Sequence, residues 1–372
     1  MSEQLQKTKT IFLSGGGSGG SVTPLLAVAE ELLKSDIQDY RLVFIGTAQG
    51  PERDMVADFN RKVGVLEFRS ITGGKWRRYF SGHNIFDFFK IIFAFYQSLR
   101  LLSAEKVDLI ISAGSFISVP LVWAAACKKV PILIHQQDVR PGFANRLMAP
   151  FASVISVALE KSLLDYGPRA IWIGNPVAPD QADQDALSVK EIKDKYSLDI
   201  SRRLIFITGG GTGAQAVNEL IFAAAPELVK SYQVIHLVGR GKLPSRKIKL
   251  PNYQVFEFLN NEEVLDLMRA ADLVISRAGM SALSELSLLN KAAILIPIPN
   301  SHQEDNAAVF AQAKAAVVLK QNDLVPESLL AEIKKILDDG QERVRLSNSI
   351  GKVIKRGAAE AMAGIVWEML GK

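Results

Sequence analysis

The sequence predicts an α/β fold with two domains, each built on a parallel sheet that helices cover on both faces. Strand-like apolar runs alternate with helix-like segments along almost the whole chain, an order typical of parallel sheets. A glycine-rich loop stands at the matching point of each half, and 372 residues are enough for two separate cores. We therefore expect two Rossmann-like domains that face each other across a cleft.

The apolar runs give the predicted elements in order. In the first half we predict strands at Thr10–Ser14, Arg41–Ile45, Leu109–Ser112, Ile132–His135, Ser153–Val157 and Ala170–Ile173. In the second half we predict strands at Leu204–Thr208, Gln233–Val238, Tyr253–Phe256, Leu273–Ser276 and Ala293–Pro297. The predicted helices include Pro24–Lys34, Ala214–Ser231, Glu262–Ala271 and Ser281–Leu289.

The domain boundary is predicted just after Gly174-Asn175-Pro176-Val177, where a polar stretch begins. This divides the chain into domains 1–176 and 177–356. The last segment, 357–372, is amphipathic, and we expect it to form a helix that packs back on the first domain.

The composition is that of a globular protein, with 48% hydrophobic and 22% charged residues. Cys127 is the single cysteine, so the chain forms no internal disulfide, which fits a reducing compartment. The first ten residues are polar and lack the apolar core of a signal peptide, so we do not expect secretion. The net charge of +5 is mild and leaves nucleic acid, anionic lipid and phosphorylated substrates open as partners.

Each glycine-rich loop follows a strand and precedes a helix. The loops are Gly15–Gly20 and Gly209–Ala214, and both fit the pattern G-x-G-x-x-G/A. Glycine lets the backbone approach a ligand closely, and a helix N-terminus offers free N–H groups to an anion. Two such loops predict a phosphate site in each half better than they predict glycines used only for packing.

A dinucleotide site also needs an acidic residue at the end of the next strand, where it holds a ribose. The next strands here end in Ile45-Gly46-Thr47 and Val238-Gly239-Arg240, without that acid. Arg240 instead leaves open the 2′-phosphate of NADP, and with it an oxidoreductase.

Two stretches bear on membranes. We interpret the uncharged run Leu109–Cys127 as a buried strand, a turn and a buried helix rather than as a membrane span. The segment 75–100 sets basic residues beside aromatic ones, which favours an anionic membrane surface over nucleic acid or a plain core helix. Its first residues are the predicted membrane contacts: Lys75, Trp76, Arg77, Arg78, Tyr79 and Phe80.

Three polar clusters follow predicted strands, at the edge where open α/β sheets bind ligands. Ser276–Ser281 opens a helix whose Glu285 is placed to accept two hydrogen bonds from a ribose diol. Pro299–Ala307 is dense in groups that bind sugar hydroxyls, and His135–Asp138 ends another strand. Each cluster also fits an ordinary polar loop or a solvated helix acid. The four histidines lack the spacing of metal ligands, so we expect no structural zinc.

These motifs, in this order, resemble the MurG family of glycosyltransferases over nearly the whole chain. The matching pieces are Gly15–Gly20 with Pro24, Ile71–Tyr79, Gly114–Pro120, His135–Asp138 with Asn145, Gly174–Val177, Gly209–Ala214, Ser276–Glu285 and His302–Ala307.

The resemblance implies a GT-B fold and an inverting transfer of GlcNAc from UDP-GlcNAc to the muramoyl 4-hydroxyl of undecaprenyl-pyrophosphoryl-MurNAc-pentapeptide. This reaction turns lipid I into lipid II in peptidoglycan synthesis. The enzyme would work as a peripheral protein at the cytoplasmic face of the plasma membrane, without metal cofactor or nucleic acid.

The resemblance also implies a division of labour, with the acceptor and the membrane at the first domain and the donor at the second. The donor residues would be Gly209, Gly210, Gly211, Thr212, Gly213, Arg240, Met280, Ser281, Glu285, His302, Gln303, Asn306 and Asn145. The acceptor residues would be Gly16, Gly17, Ser18, Gly19, Gly20, Ser115 and Phe116.

The sequence departs from the family pattern at contact positions. The departures are Ser21, Ser115, Gln136, Asp138, Ala178, Gly211 and Thr212. Ser21 replaces a histidine that is a candidate base, and a free serine hydroxyl is a poor base near neutral pH. Asp138 is therefore the first candidate for the general base and His135 the second, with Ser21 uncertain. A different acceptor, or a non-catalytic protein that binds a UDP-sugar, also fits these departures.

Overall fold

A computed structural model describes the chain over residues 8–35, 37, 40–73, 83–177, 187–210, 213–244 and 249–371. It divides into two compact units, Met1–Pro179 with Lys355–Lys372, and Asp180–Ile354.

The first unit is built on a seven-stranded parallel sheet in the order β3-β2-β1-β4-β5-β6-β7. Its strands are β1 (Lys9–Ser14), β2 (Tyr40–Gly46), β3 (Glu67–Ser70), β4 (Leu109–Ser112), β5 (Ile132–Gln136), β6 (Val154–Val157) and β7 (Ala170–Trp172). Its helices are α1 (Thr23–Leu33), α2 (Pro51–Lys62), α3 (His83–Glu105), α4 (Ser118–Cys127) and α5 (Phe143–Met148), with α13 (Ala358–Met369) from the end of the chain.

Helices cover both faces of this sheet, which explains why its interior strands are apolar without alternation. In β1, Ile11 and Leu13 face the core that contains residues of α1 and α13, and Phe12 faces the core that contains residues of α4. The stretch 109–127 forms β4 and α4, as predicted. Among the helices in the described ranges, none has the length and apolarity that crossing a bilayer requires.

The second unit repeats this plan on a six-stranded parallel sheet in the order β10-β9-β8-β11-β12-β13. Its strands are β8 (Leu204–Thr208), β9 (Gln233–Leu237), β10 (Tyr253–Phe256), β11 (Leu273–Ser276), β12 (Ala293–Leu295) and β13 (Val317–Val318). Its helices are α6 (Val189–Lys195), α7 (Gln215–Ser231), α8 (Asn261–Ala270), α9 (Met280–Leu288), α10 (His302–Gln312), α11 (Pro326–Asp338) and α12 (Gly340–Ile350).

The structure adds edge strands that the sequence did not indicate. β3 is a polar strand with two exposed residues, and β13 has only two residues, so neither carries an apolar run. β12 ends at Leu295 rather than at Pro297, because the carbonyls of Ile296 and Pro297 accept hydrogen bonds from the side chain of Arg277.

The final helix α13 packs against α1 within the first unit. Met362, Ala363 and Val366 are buried there, in the same core cluster as Ile173, which follows β7. Helix α13 is therefore part of the hydrophobic core of the first unit.

Candidate functional site

Both glycine loops follow an interior strand of their sheet. β1 lies between β2 and β4, and β8 lies between β9 and β11, so each loop leaves its sheet where the strand order reverses. Open α/β sheets bind ligands at this switch point, outside the carboxyl ends of the strands. The topology therefore gives each unit one candidate binding edge.

In the second unit, the notable group is the Glu285 carboxylate on α9. Its side chain is half-buried, and among the described residues it has no hydrogen-bond or ion-pair partner. Burial raises the pKa of Glu285 to about 7. A carboxylate that is costly to bury and has no protein partner is a candidate for binding a ligand.

The start of α10 packs against the start of α9. The Gln303 side chain comes close to Gly279, and its Oε1 accepts a hydrogen bond from the Ile298 N–H at 3.2 Å. Asn306 is fully buried and its Nδ2 donates to the Ala278 carbonyl at 3.2 Å. The structure thus brings two predicted donor residues, Gln303 and Asn306, to the loop that precedes α9.

Three other predicted donor residues lie at the same two helix starts. Met280 is buried, and Ser281 is half-buried beside it in the first turn of α9. His302 is the first residue of α10. Gly279 and Ser301 stand at the N-caps of α9 and α10, so each helix directs its first N–H groups toward this edge.

The sequence did not indicate the role of Arg277, whose buried guanidinium connects the end of β11 to the segment after β12 and to Gln321. Its Nη1 donates to the Ile296 and Pro297 carbonyls at 2.9 and 3.1 Å, and its Nη2 donates to Gln321 Oε1 at 2.7 Å. Burial lowers the pKa of Arg277. Its place directly after β11 was the signal available in the sequence.

The second glycine loop is closely packed at Gly213 and open at Gly210. Gly213 has a φ of +66°, and a Cβ there would collide with the Val238 carbonyl at the end of β9. Gly210 has a φ of +76° and open space beside it. The loop members Gly211 and Thr212 lie outside the described residues, as does Ala178. Arg240 is exposed, with its guanidinium carbon 4.2 Å from the ring centre of Phe258.

The backbone of the first glycine loop is hydrogen-bonded to the side chains of Ser21 and Glu52. Ser21 Oγ accepts from the Gly16 N–H at 3.0 Å and is within reach of the Gly16 carbonyl at 3.1 Å. The Gly17 N–H donates to Glu52 Oε2 at 3.1 Å. The Ser21 hydroxyl is therefore a loop contact, which argues against the uncertain catalytic role predicted for it.

The end of β2 has no acidic residue, but an acid lies shortly after it at the start of α2. Glu52 lies in the first turn of α2, fully buried, and its carboxylate points to the first loop rather than to solvent. A ribose diol has no access to it. Sequence reading missed this residue because it looked for the acid only at the end of the strand.

His135, predicted as the second candidate for the general base, lies in the interior of the first unit. It is fully buried; Nδ1 lies 3.0 Å from Ser156 Oγ and Nε2 lies 2.9 Å from Asn175 Oδ1. Burial lowers the pKa of His135 to about 4, against the opposing hydrogen bond to Asn175. Both ring nitrogens are engaged, so neither is free to take a proton from a substrate.

Asp138 is half-buried in a turn just beyond β5 that Gln136 organises. Gln136 Nε2 donates to the carbonyls of Asp138 and Arg140 at 2.7 and 2.9 Å. Gln136 Oε1 accepts from Asn145 Nδ2 at 2.6 Å and from the Tyr166 hydroxyl at 3.1 Å. Asn145, predicted among the donor residues, is therefore part of this cluster in the first unit.

The turn after β4 carries the predicted acceptor residues Ser115 and Phe116. Gly114 and Ser115 both have positive φ, +91° and +93°, which is strained for serine. The Phe116 ring centre is 6.1 Å from that of Phe143, which is 49% exposed. An accessible aromatic pair thus stands at the carboxyl edge of the first sheet.

The predicted membrane contacts Lys75–Phe80 lie outside the described residues. The helix that follows, α3, exposes Phe89, Phe93 and Tyr96 by 63%, 59% and 63%. Helical spacing places these three rings on one face.

No three His, Cys, Asp or Glu side chains within the described part of the chain are grouped closely enough to hold a metal ion.

Family models match both halves of the chain. Residues 11–157 match the glycosyltransferase family 28 N-terminal domain, and residues 204–362 match the glycosyltransferase family 28 C-terminal domain.

Two similar proteins are named UDP-N-acetylglucosamine–N-acetylmuramyl-(pentapeptide) pyrophosphoryl-undecaprenol N-acetylglucosamine transferase. The one from Clostridium perfringens (strain 13 / Type A) is 35% identical over 353 residues, which are 93% of this chain and 95% of that protein. The one from Clostridium kluyveri is 34% identical over 333 residues, 88% of this chain and 91% of that protein.

Solved structures share the fold. MurG from Acinetobacter baumannii superposes with a TM-score of 0.72 at 23% identity, covering 97% of this chain and 99% of that chain. UDP-GlcNAc 2-epimerase from Neisseria meningitidis gives 0.71 at 12% identity, covering 97% of this chain and 100% of that chain. The predicted two-domain GT-B architecture is confirmed, and the chain belongs to glycosyltransferase family 28.

Proposed function

We propose that this member of glycosyltransferase family 28 transfers GlcNAc from UDP-GlcNAc to the muramoyl 4-hydroxyl of undecaprenyl-pyrophosphoryl-MurNAc-pentapeptide, with inversion at the anomeric carbon. The supporting relatives are named as transferases of N-acetylglucosamine to this lipid-linked muramyl pentapeptide, and they match at about a third identity over nearly all of the chain. In peptidoglycan synthesis the step produces lipid II from lipid I.

The observation that carries the donor site is the half-buried Glu285, which has no hydrogen-bond or ion-pair partner within the part of the chain that the structure describes. A ribose has two neighbouring hydroxyls, and a carboxylate accepts a hydrogen bond from each without needing a second protein group. The resulting charge-assisted bonds would stabilise the ionised form that burial disfavours. We assign Glu285 to the UDP ribose.

The rest of the donor fits around the same edge. Gln303, His302 and Asn306 would contact the GlcNAc hydroxyls from the start of α10. The diphosphate would lie against Gly209–Gly213 and the first N–H groups of α9, at Met280 and Ser281. These groups favour negative charge, so they would stabilise the leaving UDP without a metal ion. Arg240 would add a cation at the rim.

The acceptor would occupy the edge of the first sheet. Its pyrophosphate would meet the loop Gly16–Gly20, with Ser115 and Phe116 beside it. Asp138 is our candidate for the general base. The muramoyl 4-oxygen would attack the anomeric carbon as Asp138 takes its proton, and the bond from that carbon to the UDP oxygen would break.

Membrane attachment would use the exposed ring face of α3 together with Lys75–Phe80. Aromatic rings enter the headgroup region, and basic side chains bind anionic lipid. The enzyme would thus act as a peripheral protein on the cytoplasmic face of the plasma membrane, where a lipid-linked acceptor is within reach.

The test is UDP release from UDP-GlcNAc, measured with and without the lipid-linked muramoyl acceptor. We expect release that depends on the acceptor and a product one GlcNAc heavier. A folded preparation that binds UDP-GlcNAc but shows no acceptor-dependent release would contradict the proposal. Release with a different lipid or sugar acceptor alone would identify a related transferase.

A further inference from the structure

Glu52 is a fully buried carboxylate that no step of the proposed transfer uses. Burying a charged group is costly unless hydrogen bonds satisfy it. Burial alone would raise the pKa of Glu52, but hydrogen bonds from Thr47 and Gly17 outweigh it and hold that pKa below its usual value. The fold therefore keeps an ionised side chain at this point, and its contacts show why.

The two carboxylate oxygens bond to two different loops. Oε1 accepts from the Thr47 N–H at 2.7 Å and from the Thr47 hydroxyl at 2.6 Å, in the turn after β2. Oε2 accepts from the Gly17 N–H at 3.1 Å, in the glycine loop after β1. β1 and β2 are neighbours in the sheet, so Glu52 ties together the loops that leave two adjacent strands.

The surrounding glycines provide the space for this side chain. A Cβ at Gly16 would lie 2.6 Å from Glu52 Oε1, and one at Gly46 would lie 2.6 Å from Glu52 Cγ. A Cβ at Gly50 would also collide with the carboxylate. Gly17 differs, since a Cβ there would meet no atom within 4 Å. Three glycines thus face Glu52, while Gly17 faces open space.

The start of α2 adds to the stability of this charge. Glu52 lies in the first turn of the helix, which has Gly50 at its N-cap and Pro51 at its start. Negative charge is favoured at this end of a helix.

We propose that Glu52 is a positioning residue that fixes the shape of the first glycine loop by accepting a hydrogen bond from the Gly17 N–H. The loop then presents its open side at Gly17 to the anionic group of the acceptor, without having to order itself on binding. This rests on the proposed function in one respect, that the ligand of this loop is the acceptor pyrophosphate. The positioning itself depends only on the contacts of Glu52.

The decisive variant is Glu52→Gln. Gln keeps one acceptor oxygen and replaces the other with an NH2 donor, so either Gly17 or Thr47 would face a donor where the carboxylate offers an acceptor. Asp54→Asn is the matched control, because Asp54 is an exposed acid in the same first turn of α2. Hydrogen–deuterium exchange and steady-state kinetics would be measured on both variants and on the unchanged protein.

We expect amide exchange to rise at least threefold in the peptides that cover 14–22 and 44–50 in Glu52→Gln. Exchange around the second loop, 206–216, should not change. The KM for the lipid acceptor should rise about tenfold, while the KM for UDP-GlcNAc stays within twofold. Asp54→Asn should match the unchanged protein throughout.

Unchanged exchange at 14–22 in a folded Glu52→Gln protein would overturn the proposal, as would equal rises in both KM values. If Glu52→Gln does not fold, Thr47→Val removes only the hydroxyl donor and should give a smaller rise at the same peptides; no rise there would also overturn it. If the unchanged protein lacks acceptor-dependent UDP release, the proposed function fails, and the exchange measurement still decides the role of Glu52.

Discussion

The backbone of Gly174 packs directly against the carbonyl group of Lys355. A Cβ on Gly174 would collide with that oxygen, and Gly174 has a φ of +92° that disfavours any side chain. Here the segment after β7, which leads out of the first unit, meets the segment that returns to it. The contact involves main-chain atoms, which cannot move aside as a flexible side chain would.

Gly174→Ala is therefore expected to destabilise the first unit by about 3 kcal/mol, from a strained φ and a backbone collision. A melting temperature lower by roughly 5–10 °C would show this in calorimetry. Gly364→Ala is the control, because Gly364 is exposed in α13 with open space around it. That change should be neutral or stabilise by about 0.5–1 kcal/mol; equal losses in both variants would contradict the explanation.

Glu285→Gln is expected to weaken UDP-GlcNAc binding roughly 10- to 100-fold, the effect of losing charge-assisted hydrogen bonds of about 1.5–3 kcal/mol. The pKa of Glu285 is about 7 in the free protein, so affinity should rise from pH 6 to pH 8 as the carboxylate ionises. Calorimetric titration at several pH values would measure both effects. Glu360→Gln, at an exposed acid of α13, should change neither.

Glu285 also links stability to pH. The pKa of the Glu285 carboxyl is raised in the folded protein, so the folded protein binds the carboxyl proton more tightly than the unfolded chain does. The protonated carboxyl therefore favours the folded state at low pH, and this part of the free energy of unfolding is lost as the pH rises from about 4.5 to about 7. Glu285→Gln should remove that loss and gain up to roughly 3 kcal/mol over the unchanged protein by pH 8. Denaturant unfolding at pH 5 and pH 8 would measure the difference, and a constant difference between the two proteins would count against it.

His135 predicts the opposite dependence on pH. The pKa of His135 is lowered from 6.5 in the unfolded chain to about 4 in the folded protein, so the unfolded chain binds the imidazole proton more tightly. The free energy of unfolding is therefore highest above pH 6.5 and falls as the pH drops toward 4. The loss amounts to roughly 3 kcal/mol. His135→Gln should be less stable at pH 7 but should lose less than the unchanged protein between pH 6.5 and pH 4.5. A folded His135→Gln protein with kcat reduced more than 100-fold would restore His135 as a catalytic candidate.

The exposed rings of α3 lead to a prediction for membranes. Replacing Phe89, Phe93 and Tyr96 by Ser should reduce binding to vesicles that contain anionic phospholipid by about tenfold or more, because the apolar area that enters the headgroup region is lost. Sedimentation with vesicles would measure this. Leu164→Ser removes another strongly exposed apolar side chain of the same unit and should have little effect.

Chelation tests how the leaving group is stabilised. If helix N-termini and backbone N–H groups suffice for the departing UDP, EDTA should leave the rate of acceptor-dependent UDP release unchanged. A loss of rate that Mg²⁺ restores would show that a cation is part of the donor site.

The sequence predicted the central strands well because burial on both faces leaves continuous apolar runs such as Leu204–Thr208. Edge strands such as Glu67–Ser70 have no such run and were missed. Among the site residues, Glu285 could be selected because it lies in a predicted helix that follows a strand, and Gln303 because it lies in a polar cluster that resembles a family motif. The direction of a polar side chain depends on partners far along the chain, and this is why Glu52, Arg277 and the buried contacts of His135 emerged only from the structure.

The place of α13 has a consequence for synthesis on the ribosome. Met362, Ala363 and Val366 belong to the core of the first unit, yet they are translated after the whole second unit. Domains generally fold as they emerge, beginning from the N-terminus. The first unit therefore cannot complete its core, and part of the surface around α1 stays uncovered, until the second unit has been translated and α13 has emerged.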